Sequence, residues 1–224
     1  MEAKIKRAIV LLSGGMDSLV TAAIAKRDCD ELNFLHISYG QRTQARELKS
    51  VNSICAHYKP ERSEILDWDW FARIKGSALT DPAIKIPGEQ SGADIPVTYV
   101  PFRNANFLCA AVAWAEVIRA EYIYIGAVEE DSSGYPDCRE VFFSSFQKAI
   151  DTGTKNEIPI RIVTPVLHKS KAEIVKLGME LKAPFELSWS CYQNNESACG
   201  NCESCRLRLK AFAEAGYKDP IEYE

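Results

Sequence analysis

The fold class this 224-residue sequence predicts is α/β: a doubly wound, mostly parallel five-stranded sheet with helices on both faces and a small C-terminal appendage. Three observations lead there. Short apolar, β-branched runs alternate with helix-period segments along most of the chain. The first such run, "AIVLL", flows directly into "SGGMDS", Ser13–Ser18, a glycine turn of the kind that joins a strand to a helix. From about Phe185 the alternation stops, and four of the eight cysteines crowd between Cys191 and Cys205.

The elements follow in order. "RAIVLLS" reads as the first strand and "MDSLVTAAIAKR" as its helix; "LNFLHISYG" is the second strand, followed by the helical "TQARELKSVNSICAHY". "RSEILD" is a short third strand, and "DWDWF" reads as packing beneath what comes next. The stretch Lys75 to Thr98 is longer than an ordinary connection, which predicts a lid or a partly disordered loop. The Ala-rich "NANFLCAAVAWAEVIRA" is helical and leads into the fourth strand, "EYIYIGAV". A polar turn, "EEDSSGYPDCRE", opens the helix "VFFSSFQKAI"; strand "IRIVTP", helix "SKAEIVKLGME" and a last helix, "CRLRLKAFAEAGY", complete the chain. Two units are expected, 1–184 and 185–224. In a parallel sheet covered on both faces, ligands lie beyond the C-terminal ends of the strands.

Bulk properties exclude several classes. A net charge of −4 and a pI of about 5.6 provide no general basic field for nucleic acid or anionic membrane. No apolar run approaches the roughly 18 residues of a membrane-spanning helix. The start "MEAKIKRAIVLLSGG" has a charged head and an apolar stretch, as a signal peptide does, but it lacks a cleavage pattern and runs into the glycines. A cytoplasmic protein is expected, in which clustered cysteines point to metal rather than disulfides.

In "SGGMDS", Gly14 and Gly15 let backbone approach a phosphate, the start of the helix attracts anions, and Ser13 and Ser18 add hydroxyls. Asp17 repels phosphate and is expected to orient the loop or face a metal ion. Two glycines alone would be an ordinary turn; the full hexapeptide is far more specific. It resembles the signature SGG-x-DS of the PP-loop ATP pyrophosphatase superfamily. That resemblance implies an adenine nucleotide alpha hydrolase-like fold, and ATP with Mg²⁺ bound along Leu11, Leu12, Ser13, Gly14, Gly15, Met16, Asp17 and Ser18. The α–β bond of ATP would break. Cations are needed at that bond, and Arg103 in "VPFRNANFL" and Lys171 in "HKSKAEI" are the candidates, against the commoner fate of such residues as solvated surface charge.

Cys191, Cys199, Cys202 and Cys205 are spaced C-x7-C-x2-C-x2-C, the donor set of a closed tetrahedral site. Structural zinc is preferred over an iron–sulfur cluster or a redox pair, although four cysteines alone do not settle the metal. Tyr39, Gln41 and Arg42 fall just past the second strand. Asp137 and Arg139, with Tyr135 or Phe142 stacking nearby, are candidates for reading a substrate's polar edge.

Taken together, "SGGMDS", "YGQR", "VPFRN", "SGYPDCR", "SKAEI" and "CYQ…CGNCESCR" resemble the 7-cyano-7-deazaguanine synthase family of queuosine biosynthesis over nearly the whole chain. The visible departure is Phe102, where the family pattern has glycine in "VPGRN". The resemblance implies an ATP-dependent ligase acting on 7-carboxy-7-deazaguanine and ammonia, with catalytic Asp17, Arg103 and Lys171. It also implies substrate contacts from Tyr135, Asp137 and Arg139, zinc on the four cysteines, and a homodimer without nucleic acid or membrane partners. The alternative is a PP-loop enzyme that modifies a base within tRNA.

Overall fold

The computed structural model describes residues 5–86, 95–129, 134–155 and 157–224. Five strands form one sheet: β1 (Arg7–Leu11), β2 (Glu31–Ser38), β3 (Arg62–Asp67), β4 (Tyr122–Ile125) and β5 (Arg161–Val163). Their order is β3-β2-β1-β4-β5, and each neighbouring pair is parallel. All five lie where the apolar runs predict them.

Residues alternate across the sheet because successive side chains of a strand point to opposite faces. Ala8 and Val10 of β1 and Phe34 of β2 pack under α1 (Met16–Asp28), α2 (Gln44–Tyr58) and α6 (Lys171–Glu180). Ile9, Leu11, Leu35, Ile37 and Ile123 pack under α4 (Arg103–Ile118) and α5 (Glu140–Gly153). Both faces are thereby buried, which is why β1, β2 and β4 read as apolar runs without polar alternation. A short helix, α3 (Trp70–Ile74), buries Phe71 against Tyr39 and Trp68. At the edge, every residue of β3 is exposed.

The chain runs outward through β2 and β3, then crosses back to place β4 on the other flank of β1. Strand order therefore reverses between β1 and β4, whose ends are in register at Leu11 and Ile125. The crevice beyond such a reversal is where open α/β sheets bind ligands.

The last helix, α7 (Glu203–Ala215), returns to the main core: Ala211 and Phe212 join the β1 face, and Phe212 meets Phe185 edge-on at 5.1 Å. A buried ion pair anchors it. Arg208 donates two hydrogen bonds to Asp219, at 2.8 and 3.0 Å, and others to Ser188 Oγ and the Phe185 carbonyl. Tyr223 donates to Asp219 at 2.6 Å. With all these donors and acceptors matched, the buried pair is tolerated where an unpaired charge would not be.

The two described ends of the long 75–98 connection pack down. Arg42 donates to the carbonyls of Asp81 and Ile84, Ala78 N–H bonds Val97 O at 2.7 Å, and Ser77 through Thr80 are buried. The centre of the expected lid, 87–94, lies outside the described residues.

Candidate active site

The SGGMDS loop leaves β1 at the reversal point. Gly14 adopts a left-handed conformation (φ +83°), and a Cβ there would come within 2.9 Å of the Glu47 carbonyl, so only glycine fits. Ser13 Oγ accepts from Gly15 N–H and donates to Ser18 Oγ, whose own proton is within reach of the Gly15 carbonyl. The N-cap of α1 is Gly15, which has no side chain to cap the helix, leaving its first turn to attract an anion. Gly126, just past β4, faces this turn: a Cβ would lie 2.9 Å from the Asp17 carbonyl and Ser18 nitrogen. His36 braces the loop from β2, with Nδ1 2.9 Å from the Leu12 carbonyl; burial pushes its pKa down and favours the neutral ring.

Lys171 is the first residue of α6, fixed by a capping box in which Ser170 and Glu173 exchange hydrogen bonds. Its ammonium donates to Asp17 Oδ2 at 2.8 Å, across 154 residues of sequence. The other carboxylate oxygen, Asp17 Oδ1, is buried and has no hydrogen-bond partner among the described residues.

One cavity of about 310 Å³ opens on this arrangement. Leu11, Leu12, Ser13, Gly15, Met16, Asp17 and Ser18 line it, together with Lys171, Arg103, Tyr39, Gln41, Arg42 and Tyr135. Gly14 sits behind the loop rather than in the wall. Arg103 opens α4 and donates to Tyr39 OH at 3.0 Å. Burial acts against its charge, but Tyr39, Tyr135, Cys138 and Asp137 outweigh it, and the pKa is raised. Burial pushes the Tyr39 phenol up to about 12. Tyr135 shares a 2.6 Å hydrogen bond with Thr98.

Asp137 and Arg139 lie outside the cavity wall. The Asp137 carboxylate turns inward, accepting the Asn104 N–H at 2.9 Å, while Asn104 Nδ2 donates to the Asp137 carbonyl. Asp137 is 3% exposed, and burial raises its pKa. It holds the start of α4, and hence Arg103, in place. Arg139 is exposed where α5 begins, and neither residue lines the cavity. Phe142 packs on Phe102, Phe143 and Phe146 instead of facing the site. His168 lies near Glu129 and Glu140 and is not among the residues lining the cavity.

Wall residues that the sequence reading did not single out for the site include His36, Trp189, Tyr192 and Glu203. Trp189 N–H donates to the Gly14 carbonyl at 2.8 Å, and Arg46 lies over its ring at 4.1 Å. The tail thus closes onto the loop. A signal was available in the aromatic pair flanking Cys191, and in Gly126 at a strand end.

The ligand atoms of Cys191, Cys199, Cys202 and Cys205 all lie within 4.8 Å of one another, with Cys199 Sγ and Cys205 Sγ 3.9 Å apart. A tetrahedron of metal–sulfur bonds of about 2.3 Å has edges of about 3.8 Å, so this donor set fits a metal ion. Backbone N–H groups of Gln193, Asn194 and Cys199 point at Cys191 Sγ, and that of Cys202 at Cys199 Sγ, as suits thiolates.

Fold and loop together define a PP-loop nucleotide-binding protein. Its residues 7–216 match the family model described as "Queuosine biosynthesis protein QueC", and the chain belongs to that family. It is 56% identical over 219 residues to the 7-cyano-7-deazaguanine synthase of Chlorobaculum parvum, covering 97% of this chain and 96% of the relative. It is 58% identical over 228 aligned positions to the enzyme of that name from Acidobacterium capsulatum, covering 100% and 99%. Among solved structures it resembles a 4-thiouridine synthetase in complex with RNA and bound ATP. There the TM-score is 0.52 at 16% identity, over 94% of this chain and 50% of that one, a likeness of fold alone.

Proposed function

We propose that this chain is an ATP-dependent carbon–nitrogen ligase that converts 7-carboxy-7-deazaguanine and ammonia to 7-cyano-7-deazaguanine in queuosine biosynthesis. The observation that carries the reading is the glycine loop facing Asp17–Lys171 in one cavity with Arg103, in a chain of this family. A substrate carboxylate oxygen attacks the α-phosphorus of ATP, the α–β bond breaks, and pyrophosphate leaves. Ammonia then displaces AMP to give the amide. Transfer of a second AMP to the amide oxygen lets that oxygen depart with AMP, as protons are lost from nitrogen, leaving the nitrile.

In this reading the loop and the first turn of α1 hold the departing pyrophosphate, and Lys171 offsets its charge. The unpartnered Asp17 Oδ1 would be the acceptor suited to Mg²⁺ accompanying ATP. Arg103 faces the acid oxygens of the substrate and the α-phosphate. By role the chain divides into an ATP-binding unit, 1–184, and a tail, 185–224, that supplies part of the cavity wall. Zinc is the metal we assign to the four cysteines, as a structural ion, because four protein ligands leave no open position. We place the protein in the cytoplasm as a homodimer acting on small molecules rather than on nucleic acid. Among the described residues, no helix is long and apolar enough to cross a membrane.

The test is incubation with ATP, ammonium and 7-carboxy-7-deazaguanine, with mass spectrometry for nitrile and AMP. ADP in place of AMP would reject the α-phosphate chemistry. Tight, salt-sensitive binding of tRNA would favour a base-in-tRNA substrate instead.

A further inference from the structure

Most charged groups in the cavity wall already have partners. Asp17 holds Lys171, Glu47 accepts from Gln41 and Thr43, Arg42 binds two carbonyls, Arg103 binds Tyr39, and Arg208 binds Asp219. Glu203 is the exception: its carboxylate has no hydrogen bond or ion pair among the described residues. It is partly buried, and its charge is felt at both Tyr135 and Tyr192, which are themselves within electrostatic reach of Arg103.

A partly buried carboxylate in a cavity wall, with none of its oxygens bonded to a described donor, is available to a ligand that brings donors to it. A 2-amino-pyrimidinone edge brings two, the ring N–H and the exocyclic amine. They lie side by side and match the two oxygens of one carboxylate, while aromatic side chains suit the flat ring. The competing account is that an acid at the first position of α7 merely complements the helix dipole. That account needs no particular ligand.

We propose that Glu203 is a specificity-determining residue of the ligase site, accepting both N–H donors of the amino-pyrimidinone edge, with Tyr135 and Tyr192 against the ring. This rests on the ligase reading above. It also gives the cysteine cluster a task. Cys202 is the N-cap of α7 and Cys205 lies in its first turn, so a metal there fixes the position of Glu203.

The experiment compares wild type with Glu203→Gln and Glu203→Asp, each checked for metal content and melting temperature. Rates of AMP and nitrile formation are measured with 7-carboxy-7-deazaguanine and with its analogue lacking the 2-amino group. Loss of a charge-assisted hydrogen bond is worth about tenfold or more, so wild type should prefer the amino compound by at least about that factor in kcat/KM. Glu203→Gln should raise KM for the parent by about tenfold or more and reduce the preference to about threefold or less, while Glu203→Asp retains part of it. A Gln variant that keeps both KM and preference overturns the proposal, as does one that loses stability while its preference is intact. A wild type that forms neither nitrile nor AMP from the parent removes the ligase reading and this inference with it. That result is distinct from full turnover with unchanged selectivity.

Discussion

Phe102 sits just before α4 in the left-handed region, at φ 57° and ψ 28°. Side chains other than glycine cost about 1–2 kcal/mol there. The turn is pinned regardless: Phe102 N–H donates to Tyr99 OH at 2.9 Å, and Asn106 Nδ2 donates to the Phe102 carbonyl at 2.7 Å. The ring returns little, being 58% exposed and meeting Phe142 edge-on at 6.2 Å. Phe102→Gly and Phe102→Ala both delete the ring, so their difference isolates the backbone. Glycine recovers the strain of about 1–2 kcal/mol but gains unfolded-state entropy worth about 0.5–1 kcal/mol. The glycine variant should therefore be the more stable by about 0.5–1 kcal/mol, or roughly 1–4 °C in melting temperature for a chain of this size. Urea unfolding and thermal melts of the pair decide it. An alanine variant equal to or better than glycine would refute the strain argument.

Asp17→Ala should abolish AMP formation while leaving the fold intact, since it strips Lys171 of its partner and the loop of its open carboxylate oxygen; retained AMP release would remove Asp17 from the machinery. Elemental analysis should find roughly one zinc per chain, and chelation should lower the melting temperature and alter Trp189 fluorescence, because a four-thiolate site holds the tail on the loop. A metal-free protein with an unchanged melt would contradict this. Glu31 has its pKa lowered by the hydrogen bond from Arg7, so its contribution is present above the ordinary carboxylate range and lost as pH falls through the lowered value. Arg7→Met should therefore flatten the fall in melting temperature between neutral and acid pH, and an unchanged acid limb would rule the pair out as its source.

The parts of this protein written within short stretches were legible without coordinates. The buried apolar runs became β1, β2 and β4, because the centre of a sheet covered on both faces needs continuous apolar segments, a local property of sequence. The glycine loop and the cysteine spacing are likewise local, since a few bonds of chain dictate what each can hold. Asp137 shows the limit: nothing in its motif announces that its carboxylate accepts a hydrogen bond from the backbone at the start of α4. Nothing in the sequence spacing announces that Asp17 and Lys171 meet, or that Glu203 and Tyr135 line one cavity. Those meetings depend on a crossover that reverses strand order at β1 and on a tail folding back over the loop. Sequence determined the kind of loop, the donor set and the sheet. Tertiary structure decided which charges find partners and which residues share the cavity, because side-chain pairing depends on distances that only the assembled chain sets.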